Sequence, residues 1–312
     1  MATTKISVPV VDLSNFPSEM KKLTAASTEL GCFRVVNHGI PVALQAEMKA
    51  AVRFLFEMSA ESKLRNTDII TGSGYVPPSP KNPSYEAFGL YDAASSSDVR
   101  DFCSRLEVSP FYREIISSYA SKLHDLIVDL ATKVAASLGL VDYSFQDWSC
   151  QLRMNKYNFS KETVGSTGAQ IHTDNDFITV LQEDESVGGL EIMHFGGDFV
   201  AVDPVPDTFL VNLGDVAKVW SNGRLHNVKH RVQCKEALPR ISVAFFILAP
   251  KDDRMEPQQE FVDCEHPPLY RTFSYLEYRK LRLSSGARAG EALALLAADQ
   301  ITGKSLVPDS SF

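Results

Sequence analysis

Gln170-Ile171-His172-Thr173-Asp174-Asn175-Asp176 is the stretch around which the rest of the chain can be read. Side chains at i and i+2 of an extended strand leave the same face, so the His172 imidazole and the Asp174 carboxylate can reach one ion together. A second imidazole from elsewhere would complete a two-histidine, one-carboxylate face. That arrangement suits non-haem Fe(II) and leaves coordination positions open for substrate and oxygen. A His-x-Asp triplet also arises by chance, and these residues equally fit a turn-capping histidine beside solvated carboxylates. The company the triplet keeps decides between the two.

Four later histidines, His194, His226, His230 and His266, are candidates for the third position. His230 lies in the strand-like run Asn227-Val228-Lys229-His230-Arg231-Val232, and His226 stands four residues earlier at its turn end. Both would face one side of a strand about two residue pairs apart, so only one can close the site, and the residues alone leave the choice open. Further on, Arg240 and Ser242 stand at i and i+2 in Pro239-Arg240-Ile241-Ser242-Val243-Ala244-Phe245-Phe246. There a guanidinium and a hydroxyl can converge on one oxyanion, whereas an outward Arg240 would simply join a surface ion pair. Asn155 and Tyr157, again two apart, offer further hydrogen-bonding groups.

The first half of the chain reads as a few strands among long helices. Val8–Leu13 and Cys32–Asn37 are strand-like; helices are expected through Met20, Leu23, Ala26 and Leu30 to Gly31, from Pro41 through Leu55, and from about Tyr112 to Leu138. Thr71–Ser97, rich in Gly, Pro, Ser and aromatics, reads as a long functional loop. From Gln151 onward come short β-patterned runs: Leu152–Asn158, Phe177–Gln182, Leu190–Phe195, Phe199–Val202, Thr208–Leu213, Val228–Cys234 and Ile241–Leu248. Turn residues punctuate them, which points to a mainly β fold with flanking helices, a jelly roll being the version that holds ligands between its sheets. The expected division is a helix-rich region over 1–147, a catalytic β core over 148–250 and a helix-bearing extension over 251–312.

Of the 312 residues, 44% are hydrophobic and 22% charged, as in an ordinary globular protein. A formal net charge of -8 argues against a general nucleic-acid or anionic-membrane surface but leaves room for a local basic pocket. The start shows neither a signal peptide nor a transit pattern, and the longest apolar run, Val243–Ala249, is too short to span a bilayer. Five scattered cysteines without Cys-x-x-Cys spacing fit reduced thiols. A cytoplasmic protein, monomer or homodimer, is expected.

An ordered set of blocks resembles the plant 2-oxoglutarate- and Fe(II)-dependent dioxygenases over about Ile6–Arg279. They are Gly31-Cys32-Phe33-Arg34-Val35-Val36-Asn37-His38-Gly39, Asn155-Lys156-Tyr157, His172-Thr173-Asp174, Gly188-Gly189-Leu190-Glu191, Ser221-Asn222-Gly223-Arg224, His230-Arg231 and Arg240-Ile241-Ser242. The resemblance implies a double-stranded β-helix (jelly roll, cupin-like) with Fe(II) on His172, Asp174 and His230, because the family's distal histidine precedes an arginine. It also implies that 2-oxoglutarate is anchored by Arg240 and Ser242 with help from Asn155 and Tyr157. The implied reaction consumes O2, releases succinate and oxidises a second substrate, with ascorbate as an admissible reductant.

Within that family, the segments Ser73-Gly74-Tyr75-Val76-Pro77 and Phe88-Gly89-Leu90-Tyr91-Asp92 look similar to the branch that oxidises the auxin indole-3-acetic acid to its 2-oxindole. Tyr75, Phe177 and Phe246 are candidate walls for an indole, and Arg153 is a candidate cation for its carboxylate. Competing expectations are a related oxidase of a gibberellin, flavonoid or glucosinolate-type substrate, a non-catalytic hormone-binding cupin, and a zinc hydrolase or isomerase built on the same ligands.

Overall fold

The computed structural model describes residues 7–194 and 196–298. Its strands are β1 (Val10–Asp12), β2 (Cys32–Val36), β3 (Tyr85–Tyr91), β4 (Trp148–Tyr157), β5 (Thr167–His172), β6 (Ile178–Gln182), β7 (Leu190–Met193), β8 (Phe199–Ala201), β9 (Phe209–Leu213), β10 (His230–Gln233) and β11 (Arg240–Pro250). A large sheet runs β1-β2-β9-β6-β11-β4-β3 and a small one β5-β10-β7-β8. The expected strand Leu190–Phe195 ends at Met193, and Phe195 lies outside the described residues.

The period-2 pattern of each strand decides what the large sheet touches. On β11, Ile241, Val243, Phe245 and Ile247 face the side shared with Met154, Leu152 and Val180, and all of these are buried in one apolar cluster with the helices. The helices of this half are α1 (Met20–Ala25), α2 (Val42–Glu57), α3 (Ala60–Leu64), α4 (Ser96–Arg105) and α5 (Pro110–Ser137), of which all but α3 bury residues in that cluster. In α5 the Ser109 hydroxyl caps the first turn, Pro110 occupies a position needing no N–H donor, and the stripe Ile116, Tyr119, Leu123, Ile127, Leu130 and Val134 is buried. The opposite face of the large sheet meets the small sheet through a second cluster containing Cys32, Tyr157, Leu210, Leu190, Ile192 and Val232. These two stacked sheets, helices on one side and a narrow interior on the other, form the jelly-roll core.

Thr71–Ser97 is not one loop. Tyr85–Tyr91 pairs residue for residue with β4 as the edge of the large sheet, and α4 begins at Ser96. Tertiary docking overrides the local composition: Gly89, which reads as a breaker, is required because a Cβ there would stand 2.0 Å from the Ser73 carbonyl oxygen. The short helices α3 and α6 (Asp215–Trp220) have no counterpart among the expected elements, while α7 (Tyr275–Ser285) lies in the extension expected to bear a helix. No helix among the described residues is long and apolar enough to cross a membrane.

Candidate active site

Strand β5 ends at His172, so Asp174 sits in the turn that follows rather than on the strand. The two side chains still converge, because Thr173 is tied down by its N–H donating to the Arg288 carbonyl at 2.9 Å. His230 opens β10 directly opposite His172, their rings 4.2 Å apart. Asp174 Oδ1 lies 3.8 Å from His172 Nε2 and 3.6 Å from His230 Nε2. One donor atom from each residue falls within 4.8 Å of the others, and no other His, Cys, Asp or Glu group of this kind occurs among the described residues.

The donor set fits a divalent ion. Ligand atoms about 2.1 Å from an octahedral ion stand about 3 Å apart, a small contraction from the spacing seen. The second ring nitrogen of each histidine is already engaged: Nδ1 of His172 lies 2.8 Å from the Gln170 carbonyl and Nδ1 of His230 lies 3.2 Å from that of Val228. Both nitrogens therefore carry the proton, which leaves Nε2 as a lone-pair donor. Burial, then the neighbouring His230, hold His172 well below the usual imidazole range. Burial works against the charge of Asp174, but His230 and His172 outweigh it and keep the carboxyl below its ordinary value. Burial, reinforced by Asp174, drives the Asp176 carboxyl the other way, well above its ordinary value. His226 stands apart from this group: its N–H donates to the Ser27 carbonyl at 3.0 Å, and its own carbonyl lies 2.0 Å from where a Cβ on Gly31 would be.

The face of the large sheet turned toward these ligands carries the other candidates. Arg240 lies opposite Tyr157, which has Tyr85 on its other side, Ser242 lies opposite Asn155, and Arg153 opposite Ala244. Phe246 lies opposite Gln151 and Thr179. Arg240 is 2% exposed, yet its Nε has no partner and its Nη1 reaches only the Ser242 hydroxyl, at 3.4 Å. Five donors in an apolar interior with so few acceptors mark a seat for an anion. The guanidinium stands 5.5 Å from the Tyr157 ring, and burial raises the Tyr157 hydroxyl, so it remains a donor.

Residues 148–249 match the 2OG-Fe(II) oxygenase superfamily and residues 8–110 match the N-terminal region described as non-haem dioxygenase in morphine synthesis. The chain belongs to the 2OG-Fe(II) oxygenase superfamily. A rice relative named 2-oxoglutarate-dependent dioxygenase DAO is 59% identical, over 94% of this chain and 100% of its own. The crystal structure of the rice dioxygenase for auxin oxidation superposes with a TM-score of 0.87 over the same shares. Dioxygenase for auxin oxidation 1 from Arabidopsis thaliana, in a binary complex with 2-oxoglutarate, is 52% identical with a TM-score of 0.81, covering 84% of this chain and 100% of that one. Barley mugineic-acid 3-dioxygenase is 31% identical over 89% of this chain and 85% of its own. The protein is thus an Fe(II)- and 2-oxoglutarate-dependent dioxygenase with the jelly-roll core of its family.

Two expected substrate walls of the dioxygenase lie elsewhere. Tyr75 packs on Phe88 at 4.9 Å and donates its hydroxyl to Glu86 at 2.8 Å, on the helix side of β3 and away from the metal ligands. Phe177 is fully buried among Phe145, Trp148 and Trp220, at centroid distances of 4.6, 5.4 and 5.2 Å, so it is core. Phe246 and Arg153 do face the interior. Tyr85, which was missed, shares that face: its hydroxyl donates to Asn155 Oδ1 at 2.8 Å and receives Arg153 Nε at 3.3 Å. Its signal is alternation with Ala87 and Gly89, hidden inside a segment whose composition reads as a loop.

A buried polar network braces the ligand turn of the dioxygenase from behind. Arg282 of α7 donates to Asp215 Oδ2 at 2.5 Å, to the Thr173 carbonyl at 2.7 Å and to the Arg288 carbonyl at 2.6 Å. Asp215, fully buried, also accepts from Tyr278 at 2.6 Å and Asn227 at 2.7 Å. Gly214 lets this layer approach, since a Cβ there would stand 2.2 Å from Asp176 Oδ1 and 2.8 Å from the Asp174 carbonyl.

Proposed function

We propose that the dioxygenase holds iron on His172, Asp174 and His230 and anchors the distal carboxylate of 2-oxoglutarate on Arg240 and Ser242, with Asn155 and Tyr157 assisting. Its second substrate is a small aromatic acid, indole-3-acetic acid, which it oxidises to 2-oxindole-3-acetic acid. The observation that carries the substrate class is a charge count on the inner sheet face. Arg240 and Arg153 both point inward there, and neither forms an ion pair among the described residues. The ion's two charges and Arg240's one balance Asp174's one and the cosubstrate's two. Arg153 is left over: half-buried, near Asp68 but in ion-pair contact with no carboxylate among the described residues, it is free to receive an anion. Burial opposes the charge of Arg153, while Tyr85, then Tyr157 and Asp68, more than restore it. Its present partners, the Tyr85 hydroxyl and the Gly72 carbonyl at 3.2 Å, are neutral. Phe246 supplies an aromatic wall on the same face, and the names of the rice and Arabidopsis relatives support auxin as the acid.

When bound, Fe(II) supplies the redox chemistry by which O2 converts 2-oxoglutarate to succinate and CO2 and oxidises the second substrate. The chain's own residues bind and exclude. Arg240 and Tyr157 donate to the cosubstrate's far end, while Leu190, Ile192, Leu210 and Val232 keep the interior dry. We assign the catalytic core to 148–250, buttressed by 1–147 and closed by 251–312, whose residues beyond 298 lie outside the described ones. Five unbridged cysteines support a cytoplasmic setting, as monomer or homodimer.

The test is succinate release with Fe(II), 2-oxoglutarate and a panel holding indole-3-acetic acid, its neutral amide, and gibberellin, flavonoid and glucosinolate-type compounds. Indole-3-acetic acid should give the fastest coupled release, and Arg153→Ala should weaken the acid far more than the amide. A neutral compound turned over best would reject the charge count, and no stimulated release at all would favour a hormone-binding protein. His230→Ala should abolish turnover while His226→Ala keeps most of it; equal, mild losses would reject the ligand assignment.

A further inference from the structure

The two oxygens of Asp174 have separate neighbours. Oδ1 faces the imidazoles at 3.6 and 3.8 Å, whereas Oδ2 accepts the Thr179 hydroxyl at 2.6 Å. Thr179 belongs to β6, opposite Phe246 on one side and Asn212 on the other, so its side chain rises from the sheet face on which Arg240 also stands. The same hydroxyl lies 2.7 Å from Asp176 Oδ2. Asp176 is itself jammed against Gly214, where even a Cβ would not fit, so the hydroxyl is held from both sides. A β-branched side chain on a central strand has little rotamer freedom with which to escape.

An ordinary carboxylate can bind a cation through one oxygen or through both. An ion held by three protein ligands would keep its remaining positions for 2-oxoglutarate and O2. A second Asp174 oxygen would fill one of them. We propose that Thr179 is a positioning residue that engages Asp174 Oδ2, holds the carboxylate to one-oxygen ligation and so keeps the oxygen position open. This rests on His172, Asp174 and His230 being the iron ligands. Thr179 touches no reacting atom and acts only through Asp174.

The test uses the full chain carrying Co(II), whose visible bands are strong at five coordinates and weak at six, together with the O2 dependence of the iron enzyme. Thr179→Val keeps the shape of the side chain and removes its donor. It should bind Co(II) with weakened bands in the presence of 2-oxoglutarate, raise the KM for O2 at least tenfold and leave the KM for 2-oxoglutarate within about twofold. Thr179→Ser, which restores a hydroxyl, should return both readouts to parental values. Should the valine variant not fold, Thr179→Ala is read in the same way. Parental bands and parental O2 dependence without the hydroxyl would overturn the proposal. His230→Ala, measured alongside, keeps the two readings apart: if it binds Co(II) as the parent does, the ligand assignment fails and takes this inference with it, whereas loss of Co(II) there with a silent Thr179→Val refutes Thr179 alone.

Discussion

Replacing Arg282 by methionine removes the positive end of a fully desolvated pair while filling most of its volume. Asp215 would keep Tyr278 and Asn227 but lose the cation it is paired with, and the Thr173 and Arg288 carbonyls would lose their shared donor. With Arg282 9% and Asp215 0% exposed, water cannot take over. Breaking one side of a buried pair costs about 3–5 kcal/mol, most of it the penalty of the charge left behind. That is a large part of the roughly 5–15 kcal/mol by which a folded domain is stable. Thermal unfolding followed by circular dichroism should show a midpoint lowered by roughly 5–8 °C. Arg282→Met combined with Asp215→Asn should recover part of the loss, since the stranded charge is gone. A midpoint within about 2 °C of the parent, or a double variant as damaged as the sum of the singles, would refute the reasoning.

Arg240→Lys should raise the KM for 2-oxoglutarate roughly 10- to 100-fold with little change in kcat, because a point charge loses one charge-assisted hydrogen bond of about 1.5–3 kcal/mol; steady-state kinetics with the cosubstrate varied decides this, and an unchanged KM would remove Arg240 as its anchor. For Glu86, burial pushes the carboxyl up but Lys63 and Tyr75, then Lys156, outweigh it and hold it below its ordinary value. A depressed folded value means that its stabilisation is present above about pH 4.5 and is lost as the pH falls through the folded value. Glu86→Gln should therefore be less stable than the parent at neutral pH by urea unfolding, with the gap closing on acidification; a gap constant into acid would contradict the linkage.

Much of the site was legible because its chemistry is written in pairs two residues apart on strands. Asn155 and Tyr157 meet Ser242 and Arg240 across a regular ladder, and strand alternation alone places them on one face. Which histidine joins His172 and Asp174 was not legible from residue chemistry, since His226 and His230 share a strand periodicity and only the chain's path into β10 brings His230 beside them. Composition misled at Tyr85–Tyr91, where a glycine demanded by Ser73 disguised a strand. It misled again at Tyr75 and Phe177, because an aromatic side chain looks alike in sequence whether it faces a ligand or a core. The Arg282–Asp215 brace left no local mark at all: its partners lie 67 residues apart and meet only once the chain has closed on itself.

His172 sits on β5, the outermost strand of the small sheet, and its side chain keeps 30% exposure against 8% for His230 and 11% for Asp174. The candidate cage is thus lopsided, with two walls rooted in the interior and one standing at the open edge of its sheet, so of the three side chains His172 is the one that water and a chelator reach first.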